Sequence, residues 1–502
     1  MNLTTKDLGD MNTLFLGILV LSLISLIIFK HTSKAKTLPL PPGPYAWPLV
    51  GNIFQMRGKP PHLLLANLAK IHGPLISLRL GAQLVVVGSS PAAAEEILKV
   101  HDRILSGRCV ASRQRGSKLH NLSSGLSEEC GDAWKNIRGI YRSELFSTKA
   151  IESQVKIREK KAMEMVSYLG SKQGEILQIK EIVFVTVMNI ISNMLFSVDF
   201  GDFEGVGLGK EMRGYIRRFG EVVSTPQLAD LYPLLGGFDV KGMYNKLMLS
   251  DLYEKTCACW GSIVKERKEG KIDQNHKDFM DALIGKGFTD DQINPLIEEL
   301  FGAGIETTTA TSEWLMVELL KNQQAMNKLR DELEKVIGVD TVRESYLPNL
   351  PYLEACVKET LRLHPLGPLL LPHRAVQTCE VMGYKIPKDT QILVNMWAIA
   401  RDSNIWDDPL SFKPERFIGS GVDYKGLTFE YIPFGSGRRM CPGQPFASRT
   451  IPLIVASLIH NYDWFLPIDM EPSKIDMKEM IDMIMQKEEP LSVIPKLRTL
   501  LR

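Results

Sequence analysis

Between Pro433 and Gly443 the chain reads Pro433-Phe434-Gly435-Ser436-Gly437-Arg438-Arg439-Met440-Cys441-Pro442-Gly443. Glycine is too free and proline too rigid, and too short of donors, for this stretch to be a regular helix or strand. It is a loop, and it presents a single thiol. A thiolate, not a thiol, ligates metal. Glycines let the backbone turn tightly and come close to a flat partner. Amides freed by such a turn can hydrogen-bond the sulfur and tune its donation. Taken alone, the stretch also fits a buried structural cysteine beside a Gly-rich turn.

The rest must build a body around that loop. Helical patterns run over 91–101, 148–170, 179–197, 251–268, 294–320, 322–337 and 352–363. Residues 75–80 and 83–87 read as a β-hairpin, and short strand-like runs return near 384–395 and 484–494. The pattern predicts a helix-rich body with small sheets set to one side. It has no βαβ rhythm and no G-x-G-x-x-G after a strand, so a built-in NAD or flavin domain is not indicated. Electrons must then come from another protein. Net charge is +2, with Lys and Arg scattered, which excludes a nucleic-acid partner as the basis of function. Seven irregularly spaced cysteines argue against a disulfide framework and for a reducing compartment. Cys257 and Cys259 lack partner ligands at zinc spacing and read as helix packing.

Met11 to Phe29 carries no charge, and as a helix it spans roughly 28 Å, near the thickness of bilayer hydrocarbon. Lys30, His31, Lys34 and Lys36 follow it, which puts the main body on the cytosolic side. A cleaved signal peptide would carry its charge first and end in small residues; this run ends Ile27-Ile28-Phe29-Lys30. The expected division is a lumenal tail (1–10), a transmembrane anchor (11–30), a basic, Pro-rich linker (31–44) and a catalytic body (45–502).

In the long central helix, Asn294-Pro295 suggests a cap followed by proline at the first helical position. Gly302, Gly304 and Thr307 to Thr309 are poor mid-helix choices, and such a violation often marks a functional site. The competing reading is a helix packed through small residues, with Glu306 solvated. Glu359 and Arg362 share a helix face at i, i+3, by default a surface pair. Trp134 and Arg138 share one at i, i+4.

Phe434, Gly437, Arg439, Cys441 and Gly443 match F-x-x-G-x-R-x-C-x-G, and Ala303-Gly304-Ile305-Glu306-Thr307-Thr308 matches A/G-G-x-D/E-T-T/S. Glu359/Arg362 and Pro414-Glu415-Arg416-Phe417 match E-x-x-R and P-E-R-F. In these the chain resembles the cytochrome P450 superfamily, and in residues 366–375, 386–389 and 149–154 it resembles that superfamily's plant microsomal members, being most similar to their alkaloid-biosynthesis group. The resemblance implies a mainly α fold with small β-sheets and a haem b cofactor whose iron takes Cys441 as its axial thiolate. Phe434 would belong to the haem loop. Arg439, Trp134, Arg138 and Arg374 would reach the haem propionates, and His373 would stand one shell out. Thr307 would hydrogen-bond bound dioxygen and Glu306 would relay protons. Glu359, Arg362 and Arg416 would form a buried brace beneath the loop. Lys135, Arg142, Arg438 and Arg449 could line a docking face for NADPH–cytochrome P450 reductase.

The implied reaction is hydroxylation, with O2, of a small lipophilic plant metabolite, an alkaloid, at the endoplasmic reticulum membrane. Oxidative phenol coupling, radical rearrangement, or hydroxylation of a terpenoid are the alternatives. A membrane haem- or lipid-binding protein without turnover is a further one, against which Glu306 and Thr307 speak. Glu298, Glu299 or Asp482 could pair with an alkaloid ammonium; solvated carboxylates are the plainer expectation. Ile305, Ser436 and Pro295 depart from the usual pattern without removing a catalytic element.

Overall fold

The computed structural model describes residues 38–112, 114, 122–205, 208–225, 227–269, 278–468 and 470–499. The expected lumenal tail and anchor, and linker residues 31–37, lie outside them.

The body is helical. In chain order the principal helices are α1 (Pro61–His72), α2 (Asp132–Ile140), α3 (Val155–Ser171), α4 (Ile179–Phe196), α5 (Leu208–Ser224), α6 (Val240–Lys268), α7 (Asp290–Lys321), α8 (Gln323–Ile337), α9 (Pro351–Leu363) and α10 (Gln444–Asn461). A four-stranded sheet lies to one side. The predicted hairpin forms its first two strands, β1 (Leu75–Leu80) and β2 (Gln83–Gly88), joined by β3 (His373–Arg374) and β4 (Gln391–Val394) in the order β1-β2-β4-β3. β2 and β4 run parallel; the other pairs are antiparallel. Near the C-terminus β5 (Glu479–Ile481) and β6 (Met485–Lys487) make a short hairpin.

α4 is apolar nearly all round. A helix of that pattern is either a membrane span or the centre of a core. Here it is a core helix: 83% of it is buried, against α7 and α3. α7 crosses the middle of the molecule and touches α4, α9 and α10.

Two helices begin earlier than their sequence suggests. α7 starts at Asp290, because Gln292 caps the backbone N–H of Thr289 at 2.9 Å. Pro295 therefore lies inside the helix, where it forgoes one hydrogen bond. Asn294, instead of capping, accepts from the Trp260 indole at 2.9 Å and ties α7 to α6. α6 starts at Val240, capped by Asp239 at 2.8 Å. Its first turns carry exposed Val240, Met243, Tyr244 and Leu247, which blurs the apolar stripe that sequence periodicity relies on.

Candidate active site

The 433–443 loop is an enforced turn. Gly437 has φ +69°, and a Cβ there would sit 2.0 Å from the Leu98 carbonyl oxygen. The Cys441 amide donates to the Phe434 carbonyl at 2.9 Å, and Ser436 donates to the Gly426 carbonyl at 2.6 Å. Arg138 on α2 donates to the Met440 carbonyl at 2.7 Å. The sulfur thus stands at the N-terminus of α10, where helix amides favour negative charge. Burial pushes its thiol pKa up; the amides of Gly443 and Gln444 and the Arg138 guanidinium pull against that. By accessible surface Cys441 is exposed, yet enough protein surrounds it for burial to dominate its titration. Both hold if the sulfur faces an internal space.

The middle of α7 shows the same combination. Ala303 is exposed and Gly302 half-exposed, while Phe301 and Ile305 beside them are buried. A Cβ on Gly302 would meet nothing within 4 Å, whereas one on Gly304 would press within 2.7 Å of Ile191 of α4. The helix is therefore seated through Gly304 and open at 302–303. Thr307 donates to the Ala303 carbonyl at 2.6 Å, a back-bond along the helix. Glu306 is partly accessible. Burial raises its pKa, Lys180 and Arg213 oppose the rise, and Asp482 adds to it.

One residue joins the two walls. The Ser124 amide donates to Glu299 of α7 at 2.9 Å, and its carbonyl accepts from Trp134 at 2.8 Å and from Arg439 at 3.0 Å. Arg138 feels both Cys441 and Glu299. Ser124 therefore ties the wall that carries Arg439 and the thiol loop to α7.

The rim of that wall is cationic. Arg138 and Arg439 lie over the Trp134 ring at 5.6 and 5.3 Å. Arg439 donates to the carbonyls of Ser106, Ser124 and Ser127. Arg108 donates to those of Gly125, Leu371 and Pro372. No carboxylate among the described residues hydrogen-bonds to Arg108, Arg138 or Arg439. Burial, and then Arg439, push the Arg108 pKa down to about 9. His373, buried against the Leu105 carbonyl at 2.7 Å, is driven down to about 3 by burial and Arg108.

Arg374 is not brought to this rim: its guanidinium is taken by Asp389 at 2.7 Å, Glu129 at 3.6 Å and the Arg108 carbonyl. Successive strand residues face opposite ways, so β3 turns His373 inward and Arg374 outward. None of the matched motifs singled out Arg108, and the resemblance put His373 one shell out.

Beneath the loop, Glu359 and Arg362 are fully buried, not a surface pair. Arg362 grips Glu359 through two nitrogens at 2.7 and 2.8 Å, and Arg416 adds a third contact at 3.0 Å. Phe434 meets Tyr424 edge-on at 5.7 Å.

Residues 41–495 match the model of the cytochrome P450 family. The chain belongs to that family. It is 48% identical to (S)-N-methylcoclaurine 3'-hydroxylase isozyme 1 of Papaver somniferum over 94% of this chain and 97% of that one. It is 45% identical to corytuberine synthase of Coptis japonica, over 96% and 99%. A solved zebra fish cytochrome P450 with abiraterone superposes with a TM-score of 0.73 at 26% identity, covering 88% of this chain and 99% of that one. The protein is thus a P450 monooxygenase, closely related to alkaloid-biosynthesis hydroxylases, and its cofactor is a thiolate-ligated haem. Such enzymes use O2, a lipophilic substrate and a redox partner. The residues fit a haem: an accessible sulfur stands at a helix N-terminus, and three guanidiniums near it have, among the described residues, no carboxylate hydrogen-bonded to them.

Proposed function

We propose that this P450 hydroxylates an amine-bearing aromatic alkaloid, taking electrons from NADPH–cytochrome P450 reductase at the endoplasmic reticulum membrane. What supports the reading is an acid–hydroxyl pair, Glu306 and Thr307, on a helix tied through Ser124 to the wall of the Cys441 loop, in a chain nearly half identical to a named alkaloid hydroxylase.

In this reading Cys441 would hold the haem iron, Trp134, Arg138, Arg439, Arg108 and His373 would hold the propionates, and Phe434 would back the loop. When bound there, haem supplies one-electron and oxygen chemistry. The chain's own part is proton management. Hydroxylation consumes O2, two electrons and two protons, and releases water. Thr307 Oγ1, held 2.6 Å from the Ala303 carbonyl, can turn that proton outward into the cavity. Glu306, with its pKa raised, can resupply it, since an acid titrating nearer neutrality transfers protons in both directions.

An exposed apolar face supports the membrane assignment. Leu234 is 97% exposed and Leu49 88%, with Trp47, Phe54, Phe238 and Leu247 also exposed. Gly51 bridges to Leu80 and the Leu231 carbonyl accepts from Ala82, so both groups flank the β1–β2 turn. An apolar patch of this kind marks a membrane or protein contact.

A relative named as a synthase rather than a hydroxylase, at 45% identity, favours one second reading: oxidation of the same substrate class without oxygen insertion. Turnover with reductase, NADPH and 18O2 separates them. One labelled oxygen in the product is expected; an unlabelled product overturns hydroxylation.

A further inference from the structure

Glu298 and Glu299 stand side by side on α7, and the fold treats them differently. Glu299 is fully engaged. It accepts from the Ser123 hydroxyl at 3.0 Å, the Ser124 and Gly125 amides at 2.9 and 2.6 Å, and the Tyr141 hydroxyl at 3.1 Å. It staples a loop and has nothing left for a ligand. Asp482, at the β5–β6 tip, has its carboxylate packed over Gly220 of α5.

Glu298 turns toward α6. It is not the solvated carboxylate its sequence context suggests, for it is only 9% exposed. Its Oε2 is buried and has no hydrogen-bond partner among the described residues. Burial alone acts on it and lifts its pKa to about 8. What faces it is acidic or neutral. Tyr253 of α6 has a buried hydroxyl with only the weak Cys257 thiol beside it. Cys259 of α6 feels both Glu298 and Glu211 of α5, and Asp291 bears on Tyr253 from the first turn of α7. A buried acid without a partner is destabilising.

Its position ties it to the cavity. Residues 298, 302 and 306 share one helix face at i, i+4 and i+8. A helical side chain covers the turn N-terminal to its own Cα. Gly302 has no side chain, and the space where one would begin is open, so the helix surface above Glu298 is left bare. Ala303, the next residue along the helix, is exposed.

We propose that Glu298 receives the ammonium group of the substrate, with the gap at Gly302 as its entry from the haem cavity. This rests on the alkaloid reading above and adds the anchoring point. Five residues of helix rise separate Glu298 from Ala303, roughly 8 Å. The ligand class is accordingly a secondary or tertiary amine with an oxidisable aromatic ring about that far from nitrogen. Binding converts a neutral acid and an ammonium into an ion pair and releases the carboxyl proton to solvent. Near pH 7 most of Glu298 carries that proton, so close to one proton leaves per amine bound.

The test uses the full-length holoenzyme and two probes: (S)-N-methylcoclaurine, and the neutral N-acetyl analogue of the same skeleton. Calorimetry in two buffers of different ionisation enthalpy counts released protons; the Soret spin shift gives Kd. The wild type is expected to release nearly one proton with the amine and none with the amide. Glu298→Gln should abolish the release and weaken amine binding tenfold or more, with amide binding within twofold and the thiolate-type carbon monoxide spectrum intact. Equal proton release in wild type and E298Q, or equal loss of affinity for both probes, overturns the assignment. The wild-type comparison stands without the variant: no proton released with a bound amine also overturns it. If neither probe binds, the alkaloid reading falls and takes the anchor with it.

Discussion

The floor and the roof of the cavity handle buried charge in opposite ways. Under the Cys441 loop, Glu359 has four donors, namely two from Arg362, one from Arg416 and the Lys413 amide. In the roof, Glu298 keeps a buried oxygen with none, and Tyr253 faces it barely satisfied. A satisfied ionic cluster holds geometry, because removing any member strands the others. An unsatisfied one stores a demand that a ligand can meet. The floor must hold one sulfur at one place through every turnover, while Glu298 keeps a carboxyl oxygen free.

The hardest break is at the sulfur. Cys441→Ala is expected to abolish the thiolate-type carbon monoxide spectrum and all turnover, since no other described thiol combines an interior position with an exposed surface. A retained spectrum would assign the ligand elsewhere.

The brace beneath should fail next. Glu359→Gln leaves two arginines facing a neutral amide in a fully buried site, a loss of about 3–5 kcal/mol. Little haem-loaded protein should accumulate, measured as the ratio of Soret to protein absorbance. Wild-type loading in E359Q would show the cluster to be dispensable.

How much of this was visible beforehand depended on whether local chemistry or tertiary placement decided it. The Cys441 turn was legible because Gly437 has no substitute beside the Leu98 carbonyl. The hairpin and α7 were legible from their periods. Arg374 was expected at the rim from the resemblance alone, which does not say which face of β3 turns inward. The register of β3 against β4 decided that, and it gave the cavity to His373. Arg108 and Glu298 were obscured for a different reason: a charge reads as solvated until the packing around it is known, and what packs there lies far along the chain, Leu371 for Arg108 and Tyr253 near Glu298.

The rim permits a graded test. Arg108→Leu removes a guanidinium that no carboxylate among the described residues pairs, whereas Arg374→Leu removes one already held by Asp389. A charge-assisted hydrogen bond contributes roughly 1.5–3 kcal/mol, on the order of tenfold to a hundredfold. Haem transfer to apomyoglobin should therefore speed up at least tenfold in R108L and change less than twofold in R374L. Arg108→Lys should fall between, since it keeps charge without the fork. Equal loss in R108L and R374L would place both at the propionates.

Per pH unit, the smallest effect probes the roof without any ligand. The Glu298 pKa rises from 4.5 to about 8 on folding, so between those values the folded state holds a proton that the unfolded chain has lost. Stability must then fall as pH rises, by about 1.4 kcal/mol per pH unit from this one group. Below pH 4.5 both states are protonated and the term vanishes; above 8 the penalty is complete. Glu298→Gln cannot titrate and should lose that slope. Urea unfolding of holoenzyme and E298Q, compared from pH 5 to 8, should show the variant gaining on the wild type at each step. Curves that stay parallel would mean that Glu298 already finds a partner in the empty roof, and the contrast between roof and floor would disappear with it.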